Sequence, residues 1–131
     1  MLPIPAPELT ITVAWSSNGI LIATLTGPAS LDAALALFKE IFTLAAEKKI
    51  RKILVNELAI TGILSTSERY RLAVGAVKHL RSLEGPNPAV AVVGTPPVVD
   101  GFRVQVAQNL GALVLLFSNA EKAKDWLETL R

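Results

Sequence analysis

The segment from Arg51 to Glu68 constrains the fold more than any other part of the chain. It begins with a short strand, Lys52–Asn56, which has an apolar centre and turns polar at Asn56 and Glu57. The segment then passes a glycine and ends in Ser-Thr-Ser-Glu, where the first serine and the glutamate can exchange hydrogen bonds as the capping box of a helix. A strand that leads into a helix is the repeating unit of α/β proteins, whose binding sites lie beyond the carboxyl ends of the strands.

Four further segments predict strands around this one. Alternating apolar and polar residues in Leu9–Trp15 indicate a half-buried strand, and Asn18-Gly19 predicts a type I′ hairpin turn into a second strand, Ile20–Leu25. The second strand is apolar on both faces, so we expect it further inside the sheet. The continuous apolar segment Ala89–Val93 is typical of a buried parallel strand, and Leu113–Phe117 is the last strand.

Four helices are predicted between and after the strands. The first starts at Leu31, and the second starts after its cap at Ser65. The third runs from about Val98 to Leu110, and Ser118–Glu121 is a second capping box that starts the fourth. The order β-β-α-β-α-β-α-β-α predicts an α/β fold with a single-layer mixed, mostly parallel β-sheet covered by helices.

The composition indicates a single compact domain with an unusually apolar character. The chain has 131 residues, which suits one domain over residues 1–131, with a proline-rich N-terminal arm at 1–8. It is 51% hydrophobic and only 18% charged, against a usual ~25% charged. Much of the chain must therefore be core or a buried interface, and a homo-oligomer would have this composition.

Several classes of function find no support in the sequence. A net charge of +2 and an aromatic content of 5% do not indicate nucleic-acid binding. No apolar run approaches the ~18 residues of a membrane span, and the start of the chain lacks the features of a signal peptide. The chain has no cysteine, so disulfides and cysteine-ligated metals are excluded, and a cytoplasmic location is expected. No cofactor and no metal site is predicted.

The most prominent candidates for regulation are the hydroxyl groups of Ser65, Thr66 and Ser67. As a helix cap, Ser65 needs only Glu68 and should contribute about 1 kcal/mol. As phosphorylation sites, Ser65, Thr66 and Ser67 would place a phosphate at a helix N-terminus, where negative charge is favoured. The two roles are compatible.

Candidates for catalysis or ligand binding are few. No G-x-G-x-x-G or Walker A sequence is present, and His79, the single histidine, is expected to be partly exposed on the surface. Arg69 lies on the sheet-facing side of its helix, so we expect it to lean toward Glu57, either in an ion pair or as a contact to an anion or a partner. An enzyme that uses Glu57 or Asp100 has the least support, because no nucleophile–base arrangement can be identified.

Two segments, RKILVNELAITGILSTSERYRLA and AVAVVG…GALVLLFSNAEKAKDWL, resemble those of bacterial STAS-like domains. This group is related to the anti-sigma factor antagonists, is SpoIIAA-like, and is also described as STAS/SEC14-like. The resemblance implies a mixed sheet of four or five strands and a role in protein interaction without catalysis. In anti-sigma factor antagonists, a partner kinase phosphorylates a serine at the start of the helix after the central strand, which switches binding. Ser65-Thr66-Ser67 is the matching segment here, although the family's Asp-Ser pair is replaced by Thr66-Ser67.

Two hypotheses of different kinds follow. The first is a non-catalytic STAS-like regulatory domain, acting like an anti-sigma factor antagonist, that binds an unidentified protein partner. Its expected surface combines Glu57, the loop from Ile60 to Leu64 and the first turn of the helix after Ser65, with Ile60, Ile63, Leu64 and Arg69 as contact residues. The alternative is a small-molecule or lipid-binding domain of SEC14-like type, which the high apolar content would suit.

Overall fold

The structure is a computed structural model that describes residues 8–130. The predicted proline-rich arm at 1–8 lies outside the described residues, apart from Glu8. The elements confirm the predicted order, and in chain sequence they are β1 (Thr10–Trp15), β2 (Ile20–Pro28), α1 (Leu31–Glu47), β3 (Lys52–Thr61), α2 (Thr66–Ser82), β4 (Ala89–Val93), α3 (Phe102–Asn109), β5 (Leu113–Phe117) and α4 (Ala120–Thr129).

The five strands form one sheet in the order β1-β2-β3-β4-β5. β1 pairs with β2 in the antiparallel direction, whereas β2, β3, β4 and β5 are parallel neighbours. This confirms the mixed, mostly parallel sheet. Each parallel step is made through a helix, as parallel neighbours require, and β1 and β5 are left as the two edges.

The sheet separates two apolar cores. Helices α1, α2 and α3 pack on one face, against residues that include Leu21, Leu25, Ile53, Val55, Val90 and Val92. Helix α4 packs on the other face through Ala123 and Leu127, against Ile20, Leu54, Ala91 and Val93. β4 contributes to both cores, and all five of its residues are buried, as its continuous apolar sequence predicts.

The hairpin between β1 and β2 is confirmed, but its turn is not of type I′. That turn requires positive φ at both central residues, and of Asn18 and Gly19 only Gly19 has it, at 77°. The Gly19 amide donates to the Ser16 carbonyl oxygen at 3.2 Å, and the Ser16 amide donates to the Ile20 carbonyl oxygen at 2.9 Å. The loop is therefore one residue longer than a two-residue turn, with the glycine in the left-handed position.

Two helices begin differently from their predicted starts. α3 begins at Phe102, not Val98, because Gly101 adopts a left-handed φ of 91° that interrupts a helix. α4 is capped by Asn119, whose side chain accepts from the Lys122 amide at 2.9 Å, so the predicted capping box at Ser118–Glu121 is wrong.

β3 continues to Thr61, five residues beyond its predicted end at Asn56. A β-bulge makes this possible. β3 advances from Asn56 to Ala59 over the stretch in which its partner β2 advances only from Thr24 to Thr26, so β3 holds one extra residue. The Asn56 side chain accepts from the Leu58 amide at 3.0 Å inside the bulge. The polar residues that suggest the end of a strand are thus part of an irregular continuation of it.

Leu21→Ala should reduce the free energy of unfolding by about 2–5 kcal/mol, because Leu21 is fully buried at the centre of the larger core. Leu113→Ala is the matched control, since Leu113 is half exposed on the edge strand β5. Urea unfolding at one protein concentration measures both values. Equal losses in the two variants would contradict this assignment of the core.

Candidate functional site

The candidate site lies at the carboxyl ends of β3 and β4, where α2 and α3 begin. We call this region the rim, comprising residues 57–71 and 100–103. Both helices follow their strands at the same end of the sheet, which is where open α/β sheets place their binding sites. The bulge in β3 brings residues of the 57–61 segment into the rim.

An ion pair between Glu57 and Arg103 forms the buried floor of the rim. An Arg103 Nη atom donates to a Glu57 Oε atom at 2.5 Å, and the side chain of Arg103 is 13% exposed whereas that of Glu57 is only 2% exposed. The Arg103 guanidinium also lies 5.5 Å from the centre of the Phe38 ring, within the range of a cation–π contact. These contacts join β3, α3 and α1.

Arg69 lies at the rim as predicted, but its partner is Asp100 and not Glu57. Its Nη1 atom donates to Asp100 Oδ2 at 2.6 Å, and the Asp100 side chain is 42% exposed. The other Asp100 oxygen accepts from the Phe102 amide at 3.1 Å. Glu57 is already paired with Arg103. Arg69 therefore connects α2 to the start of α3 through its ion pair with Asp100.

The capping box at the start of α2 is confirmed. The Ser65 hydroxyl accepts from the Glu68 amide at 3.1 Å, and the Ser65 amide donates to the Glu68 carboxylate at 2.9 Å. The backbone bond from Ser65, then its hydroxyl, then the nearby charge of Arg71 hold the pKa of Glu68 below its usual value. Glu68 is therefore ionised at neutral pH, and Ser65, Thr66 and Ser67 are all exposed beside it.

The predicted apolar contacts of the rim divide into two groups. Ile63 is 56% exposed, whereas Ile60 and Leu64 are half-buried and pack against the larger core. Leu58 and Tyr70, which the sequence did not single out, are instead exposed to about the same extent as Ile63. The bulge accounts for Leu58 and Ile60, because it shifts the alternation of β3 and turns Ile60 toward the core.

Comparison with solved structures identifies the architecture. An anti-sigma factor antagonist from Mycobacterium paratuberculosis superposes with a TM-score of 0.64 at 16% identity, over 95% of this chain and 98% of that one. The fold is SpoIIAA-like. SpoIIAA in its unphosphorylated form matches with a TM-score of 0.55 at 13% identity, over 92% of this chain and 100% of that one.

A third structure agrees with this assignment of the fold. An uncharacterised protein with a SpoIIAA-like fold from Shewanella loihica gives a TM-score of 0.56 at 16% identity, over 97% of this chain and 99% of that one. No protein-family model matches the sequence, and neither does any curated protein. At these identities the similarity is one of fold, and it confirms the STAS-like architecture expected from the sequence.

In the part of the chain that the structure describes, a small cavity lies beneath the helices of the larger core. Its volume is about 50 Å³, and it is lined by apolar side chains of the larger core together with Arg103. Two larger spaces, of about 500 and 570 Å³, are surface grooves away from the rim. Pockets that enclose a small organic ligand typically measure ~300–1,000 Å³, so the interior cavity is too small for a lipid.

The histidine and the acidic side chains of the described region do not form a further candidate site. The His79 ring is half-buried and shares a hydrogen bond of 2.9 Å with the Thr43 hydroxyl, which links α2 to α1. Within residues 8–130, no three or more His, Asp or Glu side chains gather as a metal site would require. Over the same range, no helix combines the length and the apolar character needed to cross a membrane.

Arg103→Ala should destabilise the protein by about 3–5 kcal/mol, because it leaves the Glu57 carboxylate buried and unpaired. Arg69→Ala should lose only about 0–1 kcal/mol, since its partner Asp100 is accessible to water. Chemical unfolding of the two variants at neutral pH gives the comparison.

The double variant Glu57→Met with Arg103→Met is the control for this prediction. It removes both charges and keeps side-chain volume over Phe38, so it should be more stable than Arg103→Ala. A larger loss for Arg69→Ala than for Arg103→Ala would show that the buried pair is not the stronger connection.

Proposed function

We propose that the protein is a non-catalytic regulatory domain that binds a protein partner through the rim, in the manner of an anti-sigma factor antagonist. One observation carries the proposal: exposed apolar side chains flank a capped helix N-terminus that presents three hydroxyl groups. The described region exposes seven large apolar side chains in all, and three of them, Leu58, Ile63 and Tyr70, lie in one segment of 13 residues. Single exposed apolar residues are ordinary, but a concentration of them is typical of an interaction site.

The mixed character of this segment suits a protein partner. Interfaces combine apolar and aromatic contacts with a polar surround, and tyrosine is enriched at their centres. Tyr70 lies one turn beyond Thr66 on α2, so an aromatic ring and a hydroxyl are neighbours on the helix surface. The buried Glu57–Arg103 pair beneath them supports a rigid platform.

The hydroxyl groups offer a means of regulation. A phosphate on Thr66 or Ser67 would lie in the first turn of α2, where the helix dipole favours negative charge, and would add a charge of about −1.5 to −2. Ser67 also precedes Arg71 by four residues, which places a cation within reach. Ser65 suits modification less well, because its oxygen already accepts from the Glu68 amide and a phosphate there would face the Glu68 carboxylate.

The apolar cavity beneath the helices gives little support to the alternative of a lipid carrier. A carrier must enclose an apolar ligand, and the apolar space inside the larger core measures only about 50 Å³. We therefore retain the interaction domain as the function that the geometry supports best.

Ile63→Asp should remove the specific partner of the rim, because it places a charge at the centre of the exposed apolar segment. Affinity capture from the protein's native cells, quantified by mass spectrometry, measures this. The matched control is Leu113→Asp, which puts the same charge on an equally exposed leucine on β5. Proteins retained by the wild type and by Leu113→Asp should be lost, by about tenfold or more, with Ile63→Asp; a loss of that size corresponds to ~1.4 kcal/mol.

The same capture tests the regulatory role of the hydroxyls. Ser67→Glu should reduce or replace the bound proteins, while Ser67→Ala should keep them. Identical sets of bound proteins with the wild type, Ile63→Asp and Ser67→Glu would contradict the proposed surface.

A further inference from the structure

β1 is an edge strand with little protection against pairing. It has β2 on one side only, and none of its six residues, TITVAW, is charged or a proline. Edge strands of monomeric proteins are usually guarded by charges, prolines, bulges or covering elements. The described part of the chain supplies none of these along β1.

The larger-core face of β1 is apolar but poorly covered. Ile11, Val13 and Trp15 are opposite Leu25, Ala23 and Leu21 of β2, which are buried under the helices. Val13 is nevertheless 38% exposed and Trp15 is 50% exposed. The sequence predicts a half-buried strand over Leu9–Trp15, and only its first part is covered.

A groove of about 570 Å³ runs between β1 and α1. Ile11 and Val13 form one wall, and the α1 wall combines apolar groups with Lys39, Glu40 and Glu47. Charges of both signs therefore border an apolar floor. A second copy of this chain would bring to the contact an apolar surface bordered by charges of both signs, as this groove is.

The opposite edge of the sheet differs in one respect. β5 also exposes leucines, Leu113 and Leu115, but the Gln108 side chain donates to the Val114 carbonyl oxygen at 2.8 Å. A side chain of α3 thus already occupies a backbone acceptor of that strand. Within residues 8–130, β1 is therefore the edge that remains open to a further strand.

We infer that the protein forms a symmetric dimer through antiparallel pairing of two β1 strands, which joins two sheets into one of ten strands. This goes beyond the proposed function and concerns a different surface from the rim. The two-fold axis passes through Val13, so that Val13 faces Val13 of the second copy and Ile11 faces its Trp15. Every cross-strand pair along the seam is uncharged, and the large apolar side chains, Ile11, Val13 and Trp15, lie on one face. An isologous contact of this kind closes after two copies.

The two-fold axis also determines which charges of the groove approach each other. α1 runs in the direction of β1, because it returns the chain from the end of β2 to the start of the parallel strand β3. The axis reverses this direction in the second copy. Lys39 and Glu40 of one copy therefore face the end of the groove that Glu47 lines in the other, which gives Lys39 a partner of opposite charge across the seam and Glu40 one of like charge.

The test is a charge exchange at Val13. The full-length wild type should be a dimer by size-exclusion chromatography with light scattering. Val13→Lys and Val13→Glu should each be monomeric, because like charges would be opposite each other at the axis. An equimolar mixture of the two variants should form a dimer again, since each seam then pairs a lysine with a glutamate.

Two further variants separate the effect of the seam from the effect of added charge. Leu113→Lys adds the same charge to β5 and should remain dimeric, whereas Trp15→Ser adds no charge and should raise the dissociation constant of the dimer by about tenfold or more, or ~1.4 kcal/mol. Circular dichroism confirms that each variant is folded. A monomeric wild type, a dimer that survives at Val13→Lys, or a mixture that stays monomeric would each overturn the inference.

Discussion

The buried ion pair between Glu57 and Arg103 is the interaction on which the organisation of the rim depends. It connects the bulged strand β3 to α3, and through the ring of Phe38 it also connects both to α1. Leaving either charge buried without the other costs about 3–5 kcal/mol, so the packing of these three elements is coupled. Beyond the pair the chain turns outward and exposes Leu58 and Ile63. A fixed floor and an exposed apolar surface are thus consequences of the same local geometry.

Most of the fold could be predicted because its signals are local. The apolar segments Ile20–Leu25 and Ala89–Val93, together with the cap at Ser65, determine the strand and helix order without knowledge of the contacts. The continuation of β3 to Thr61 could not be predicted, since its bulge depends on pairing with β2. The alternation of β1 likewise identified its apolar face, but how far α1 covers that face is a property of the packed helix.

In the candidate site, too, contacts between residues close in sequence could be predicted, whereas contacts between distant residues could not. The Ser65–Glu68 bonds span three residues and follow from the sequence alone, as does the position of Ser67 in the first helical turn. The partners of Glu57 and Arg69 are 46 and 31 residues away and depend on where the start of α3 is placed. Gly101 delays that start and sets Arg103 above Phe38, and no periodic pattern in the sequence carries this information.

Hydrogen exchange of the chain, free and in complex with the partner that it captures, tests directly whether the rim is the binding surface. We expect slower exchange in the amides of residues 58–71, with little change in β1 and β5. Amides at the start of α2 lack helical acceptors, so a partner that covers them should protect them clearly. Protection confined to β1, β5 or α4, with the 58–71 segment unchanged, would contradict the assignment of the rim as the binding surface.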